Sequence, residues 1–327
     1  MQLSIVRQTP VASILLMLLL VSVAFVRFAI APYGDELVVG GLATFGEWVD
    51  AFQSSRPILG WIISAAVVML SSVAVGRIAT SFGLYRVRTT ISIPLYAVVA
   101  CGIFISTNSL ATALAAYFVV LSMRYLCGGY VRGADLNFAF YAGICAGIAP
   151  MLYAPSALFV LLLPVAIVLF GLTWREVVVM LAGLLLPAAA SCYVGWLCGA
   201  DFWTPVTALF EAMALPSGYT PWGSESVVAL LMMGLLAFAI VCGVATFVGD
   251  TRSVAIRPRT IFVFNIVALA LAIAAFVIPS ATVGVYMLVA APAALLIPFL
   301  LLHLRDRVSD LIIILFLVLM IVHFFIA

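Results

Sequence analysis

The chain has 327 residues, 67% of them hydrophobic and only 8% charged, with a formal net charge of +2. Soluble domains run about 45–50% apolar and about 25% charged. That difference excludes a soluble enzyme, a nucleic-acid-binding module and a disordered chain, and leaves an integral membrane protein. All 14 basic residues apart from the 2 histidines are arginine, so chemistry that needs a lysine nucleophile or Schiff base is also excluded.

A bilayer core of about 30 Å needs about 20 apolar residues per helix. Taken in chain order, residues 8–26 supply a first span and 57–76 a second. Residues 89–123 are interrupted at Ser106-Thr107-Asn108-Ser109 and predict a hairpin of two. Residues 136–174, with Pro150 and Pro155 near the middle, predict two more. Residues 177–200 and 226–249 give one span each, 260–304 break at Pro279-Ser280 into two, and 311–327 form a last, short one. The expected fold is all-α: a polytopic membrane protein of about eleven transmembrane helices in a single membrane domain. A membrane β-barrel needs alternating strands of about 10 residues, and these long unbroken apolar runs do not provide them.

Orientation follows from the arginines. With the N-terminus inside, the inner segments hold Arg7, Arg77, Arg86, Arg88, Arg124, Arg132, Arg175, Arg252, Arg257, Arg259, Arg305 and Arg307; only Arg27 and Arg56 fall outside. This is the positive-inside pattern, and it places the C-terminus outside. Arg7, the apolar run 11–26 and Ala29-Ile30-Ala31 together mimic a signal peptide. The length of the run and its interruption by Arg27 favour a retained first helix. The expected location is a bacterial cytoplasmic (inner) membrane.

Two outer loops are long, roughly 32–56 and 199–225, and the remaining connections are short. Both are acidic and aromatic. In 42–53, Leu42, Phe45, Val49 and Phe52 recur at helical spacing, with Glu47 and Asp50 elsewhere on the wheel. That pattern predicts a short helix lying in the membrane interface. Residues 204–214 read the same way, with Pro205 at a favourable first-turn position. A solvated acidic surface with an aromatic belt explains such loops equally well; the rival is a site built between them.

Asp35 and Glu36 follow the first helix after a Pro-Tyr-Gly turn. They are the candidate catalytic carboxylates, since a carboxylate can serve as general base. Arg27 and Arg56 flank them and can hold phosphate oxygens; the structural alternative is that Arg27 snorkels outward to pair with a carboxylate. Tyr33, Trp48, Asp201 and Trp203 complete the candidate substrate-binding set. The six cysteines, Cys101, Cys127, Cys145, Cys192, Cys198 and Cys242, show no metal or redox spacing, and no cofactor or metal is expected. Gly143 and Gly147 form a GxxxG pattern, and Gly60 with Ser64 and Gly195 with Gly199 are similar, which predicts close helix approach.

This layout resembles the GT-C superfamily of glycosyltransferases. The resemblance rests on the inside N-terminus, the acidic residues Asp35 and Glu36 just after helix one, and a second long outer loop after helix seven. The basic Arg124 followed by the Ala/Gly-rich stretch 140–149 adds to it. It covers residues 1–225, with 226–327 as four further transmembrane helices. It implies transfer of a sugar from a polyprenyl-phosphate donor at the extracytoplasmic face, with inversion. The chain departs from the pattern at Thr107-Asn108-Ser109, where many such enzymes carry a second acidic site, and in having no C-terminal acceptor-binding domain. Two other function classes stand beside it: a non-enzymatic subunit of an envelope complex, and a transporter or flippase of a lipidic substrate. The expected partners are membrane lipids, a polyprenyl-phosphate donor and other membrane proteins, and no nucleic acid.

Overall fold

A computed structural model describes residues 10–30, 41–85, 87, 89–102, 109–133, 135–219, 227–249 and 255–326, with 25–30 and 324–326 described by their backbone alone. The described residues form thirteen α-helices. These are α1 (Pro10–Ile30), α2 (Thr44–Ser55), α3 (Pro57–Ser81), α4 (Ser92–Gly102), α5 (Leu110–Arg132) and α6 (Leu136–Leu152). A 3-10 segment, Ala154–Leu161, runs into α7 (Leu162–Phe170), followed by α8 (Trp174–Leu197), α9 (Thr204–Ala214) and α10 (Val227–Gly249). The last three are α11 (Ile256–Ala274), α12 (Val285–His303) and α13 (Asp306–Ile326). Among the described residues there is no strand, only an isolated bridge between Leu42 and Tyr153.

Among the described residues, six helices are long and apolar enough to cross a membrane: α3, α5, α8, α10, α11 with its short extension to Val277, and α12. Four further apolar stretches, Pro10–Ala24, Ser92–Gly102, Leu136–Leu152 and Ala154–Phe170, are shorter. The flanks of the bundle expose large apolar side chains, among them Leu181 and Leu185 on α8 and Leu231, Phe238 and Val241 on α10. Water would oppose such surfaces and lipid accepts them. These features suggest a multi-pass membrane protein.

Local chemistry sets several helix ends. Pro57 opens α3 from the first turn, a position that does not need its missing N–H. The same ring disfavours helical backbone at the preceding residue. Arg56 accordingly lies at φ −139°, ψ 70°, and the chain turns a corner between α2 and α3. At the start of α8, Thr173 and Glu176 stand in capping-box positions, and Glu176 Oε2 accepts from the Thr173 N–H at 2.7 Å and from its hydroxyl at 2.8 Å. Gly171, with φ +64°, ends α7 in the left-handed conformation that glycine adopts without strain.

The centre is built from α12 and α4, which are buried along nearly their whole lengths. Phe247, Phe262 and Phe299 join α10, α11 and α12 through ring centroids 5.0–5.7 Å apart. Helices α6 and α8 approach backbone to backbone. A Cβ on Gly143 would collide with the Met180 carbonyl, and one on Gly147 or Gly183 would stand 2.5 Å from the Leu184 or Phe140 oxygen. The GxxxG pattern at 143–147 is therefore a contact within the monomer. Its counterpart at 195–199 is not: a Cβ on Gly195 would make ordinary contact with Pro205, and one on Gly199 would meet nothing within 4 Å. Near Gly60 the neighbour is Gln53 of α2 rather than another spanning helix. All six cysteines are free thiols.

Candidate functional site: a cavity between two loop helices

Four connections meet at one end of the bundle. The Ala154 N–H donates to the Gly41 carbonyl at 2.7 Å, beside the Leu42–Tyr153 bridge. Tyr153 Oη accepts from the Thr282 N–H at 3.1 Å and lies 2.9 Å from the Thr282 hydroxyl. The Ser217 N–H donates to the Pro279 carbonyl at 3.0 Å, and the Ser217 hydroxyl bonds the Ala281 carbonyl. Gly41 sits at φ +75°, and a Cβ there would lie 2.6 Å from the Ser280 oxygen. Both the conformation and the close approach require glycine. The first long loop, the 153–155 turn, the tail of the second long loop and the 279–282 turn are thereby held together.

Above this junction stand α2 and α9, the two short helices expected from the patterns at 42–53 and 204–214. Between them lies a cavity of about 480 Å³, lined by Gly41, Leu42, Ala43, Thr44 and Glu47 on one side and by residues of 208–217 on the other. The second wall contributes Glu211, Ser217 and the apolar surfaces of Ala208, Ala212, Leu215 and Pro216. Two carboxylates from different loops thus share one cavity, and no described lining residue is a cation. Thr44 Oγ1 is buried there without a hydrogen-bond partner. Position on α2 is fixed tightly, because a Cβ on Gly46 would collide with the Leu152 carbonyl at the end of α6.

Of the residues singled out in the sequence, Asp35, Glu36 and Tyr33 lie outside the described residues, as does the side chain of Arg27. Arg56 is exposed at the α2–α3 corner. Trp48 is 67% exposed and packs edge-on against Phe45 with centroids 6.4 Å apart. Trp203 is 65% exposed and packs edge-on against Phe202 at 5.2 Å. Asp201 is exposed just before α9, where its carbonyl accepts from the Thr204 N–H at 3.1 Å. None of these four is among the described residues lining the cavity.

The residues that do line it, Glu47 and Glu211, read in the sequence only as part of the acidic character of the loops. One signal was available: Glu211 is the single charged residue of its amphipathic segment. Asp50, one turn along α2 from Glu47, is not a lining residue; partial burial raises its pKa above the ordinary 3.8 by desolvation. Among the described residues no group of three or more His, Cys, Asp or Glu is placed to hold a metal ion. No protein-family model, curated protein or solved structure matches the chain.

Proposed function

We propose that the chain is a glycosyltransferase-like enzyme of the bacterial cytoplasmic membrane. It crosses eleven times with its N-terminus inside, and transfers a sugar from a polyprenyl-phosphate donor at the extracytoplasmic face. The observation that carries this reading is the cavity between α2 and α9. It joins the two long loops at the bundle end where their neighbouring turns are tied together, and it is open to a ligand arriving at the membrane surface.

In this reading Asp35 or Glu36 is the general base. It takes the proton from the acceptor hydroxyl as that oxygen attacks the anomeric carbon. The bond from that carbon to the phosphate oxygen breaks, and the electron pair leaves with the polyprenyl phosphate. Attack from the face opposite the leaving group inverts the configuration. Arg56 and Arg27 hold the phosphate, while the cavity receives the acceptor.

The test is transfer of a radiolabelled sugar from polyprenyl phosphate by the purified protein in lipid. Removing a general base lowers the rate by about 10²–10⁴-fold, so Asp35→Asn or Glu36→Gln should show a loss of that size. Filling the cavity with Ala208→Phe should abolish transfer with folding retained. Full activity in all three variants ends this reading.

A further inference from the structure

The end of the bundle away from the cavity carries exposed positive charge. Helix α5 starts against Gln53 of α2, α6 ends at the Tyr153 turn, α8 leads to α9, and α11 runs toward the 279–282 turn. The end of α5 and the starts of α6, α8 and α11 therefore lie together at the far end. Arg132 closes α5, Arg175 opens α8, and Arg257 and Arg259 stand at the start of α11; all four are exposed. Arg124, two turns before Arg132 on α5, adds to the same sign. The described carboxylates of these segments, Asp135 and Glu176, are engaged at helix starts. Asp135 Oδ1 accepts from the Asn137 N–H at 3.0 Å, and Glu176, only 4% exposed, accepts from Thr173. Residues 250–254, outside the described residues, hold one charge of each sign and leave the balance positive.

Tyr130 knits this rim together. Its ring stacks on Phe170 at the end of α7 with centroids 4.7 Å apart, and its hydroxyl donates to Thr260 Oγ1 of α11 at 3.4 Å. Phe170 in turn meets Phe264 of α11 at 5.0 Å. Arg259 is the chain neighbour of Thr260, and Arg132 follows Tyr130 by two residues, about 3 Å along the helix axis. The Arg132 guanidinium lies 5.3 Å from the centre of the Phe138 ring on α6. Aromatic packing thus fixes where the arginines are rooted, while their charged ends face outward.

A second observation says which anion suits the rim. Trp174 and Ile256 directly precede Arg175 and Arg257, and they are 77% and 80% exposed. A soluble anion has nothing to set against such side chains. A phospholipid has: its phosphate meets guanidinium groups and its chains cover the apolar ones. Arginine keeps its charge and can hold two phosphate oxygens at once. A zwitterionic headgroup brings its own cation to a rim that is already positive, so a headgroup with net negative charge is favoured. We infer that the rim formed by the end of α5 and the starts of α8 and α11 binds an anionic phospholipid, its phosphate held by Arg132, Arg257 and Arg259. This surface lies opposite the cavity, so the inference is independent of the sugar-transfer reading.

The experiment uses the full chain in a neutral detergent, titrated with phosphatidylglycerol or phosphatidylcholine while bound lipid is counted by native mass spectrometry. Phosphatidylglycerol should bind saturably and more tightly than phosphatidylcholine. The triple variant Arg132→Gln, Arg257→Gln, Arg259→Gln should weaken it at least about tenfold. The corresponding lysine variant should retain binding, which separates loss of charge from loss of fold. Should the triple glutamine variant not fold, Arg257→Gln and Arg259→Gln are measured singly, and each should still weaken phosphatidylglycerol. Arg305→Gln with Arg307→Gln, at the start of α13, should leave the affinity unchanged. Glycerol phosphate should not compete. Equal affinity for the two lipids overturns the inference, and so does undiminished phosphatidylglycerol binding by the glutamine variants. An equal loss in the Arg305 and Arg307 variant overturns it in favour of a diffuse surface charge, and competition by glycerol phosphate overturns it in favour of a soluble anion.

Discussion

Gln53 of α2 caps α5 from outside: its Oε1 accepts the Leu110 N–H at 2.7 Å, across 57 residues of sequence. Ser109, in the N-cap position where a hydroxyl ordinarily accepts from the second or third helical N–H, makes no such bond, and its Oγ is buried without a partner. Gln53 is itself 1% exposed. One side chain therefore satisfies a helix end and pins the helix that forms one wall of the cavity.

Replacing Gln53 by Leu should leave the Leu110 N–H buried and unpaired. A lost partner of that kind costs about 1–3 kcal/mol. Thermal unfolding in detergent should show the loss, and labelling of a cysteine placed at Glu47 should become faster as α2 loosens. An unchanged melting temperature removes Gln53 from this role.

The α6–α8 contact should tolerate no side chain at its glycines. Gly143→Leu puts a side chain where the Met180 carbonyl already stands. Forcing extra carbon atoms into a packed site costs about 1–3 kcal/mol or more, and we expect poor accumulation of folded protein. Gly199→Ala has open space around its Cβ but a φ of +87°, so its milder loss should come from backbone strain alone.

The capping box at the start of α8 gives a smaller, local effect. Thr173→Val removes the side chain that pairs with Glu176. Loss of an N-cap costs about 0.5–2 kcal/mol, measurable as lower protection of the first-turn amides of α8 in hydrogen exchange.

Asp50 gives a pH signature. Its folded pKa is raised by desolvation. Between the unfolded value near 3.8 and the higher folded value, the folded state binds more protons, so stability falls as pH rises through that window. Asp50→Asn should flatten this slope and leave the variant at least as stable as wild type at neutral pH. A steeper slope in the variant contradicts the assignment.

Topology is tested with Cys198, which is exposed just past α8. An impermeant maleimide applied to intact cells should label it. In a Cys198→Ser background, Ser253→Cys should react only after the membrane is opened. Labelling of both positions from one side ends the eleven-span reading.

The positions of the helices were legible in the sequence because they follow from local rules. Charged residues bound some of the apolar runs, Ser106-Thr107-Asn108-Ser109 interrupts another, Pro57 forces a corner, and Pro279 marks the break before α12. The amphipathic patterns at 42–53 and 204–214 likewise located α2 and α9 to within two residues, since solvent on one side and apolar matter on the other write a helical period into the residues themselves. Which helices lie at the centre was not legible. In lipid an apolar surface is content against either a neighbour or an acyl chain, so hydropathy does not separate the buried α12 from the peripheral α10. The same limit explains why the glycine patterns at 143–147 and 195–199 look alike although only the first meets another backbone. That Glu47 and Glu211 line one cavity, and that Gln53 meets Leu110, depends on how distant segments close on one another. No local period encodes that closure. Shape complementarity between whole helices decides it, and only the tertiary structure shows the result.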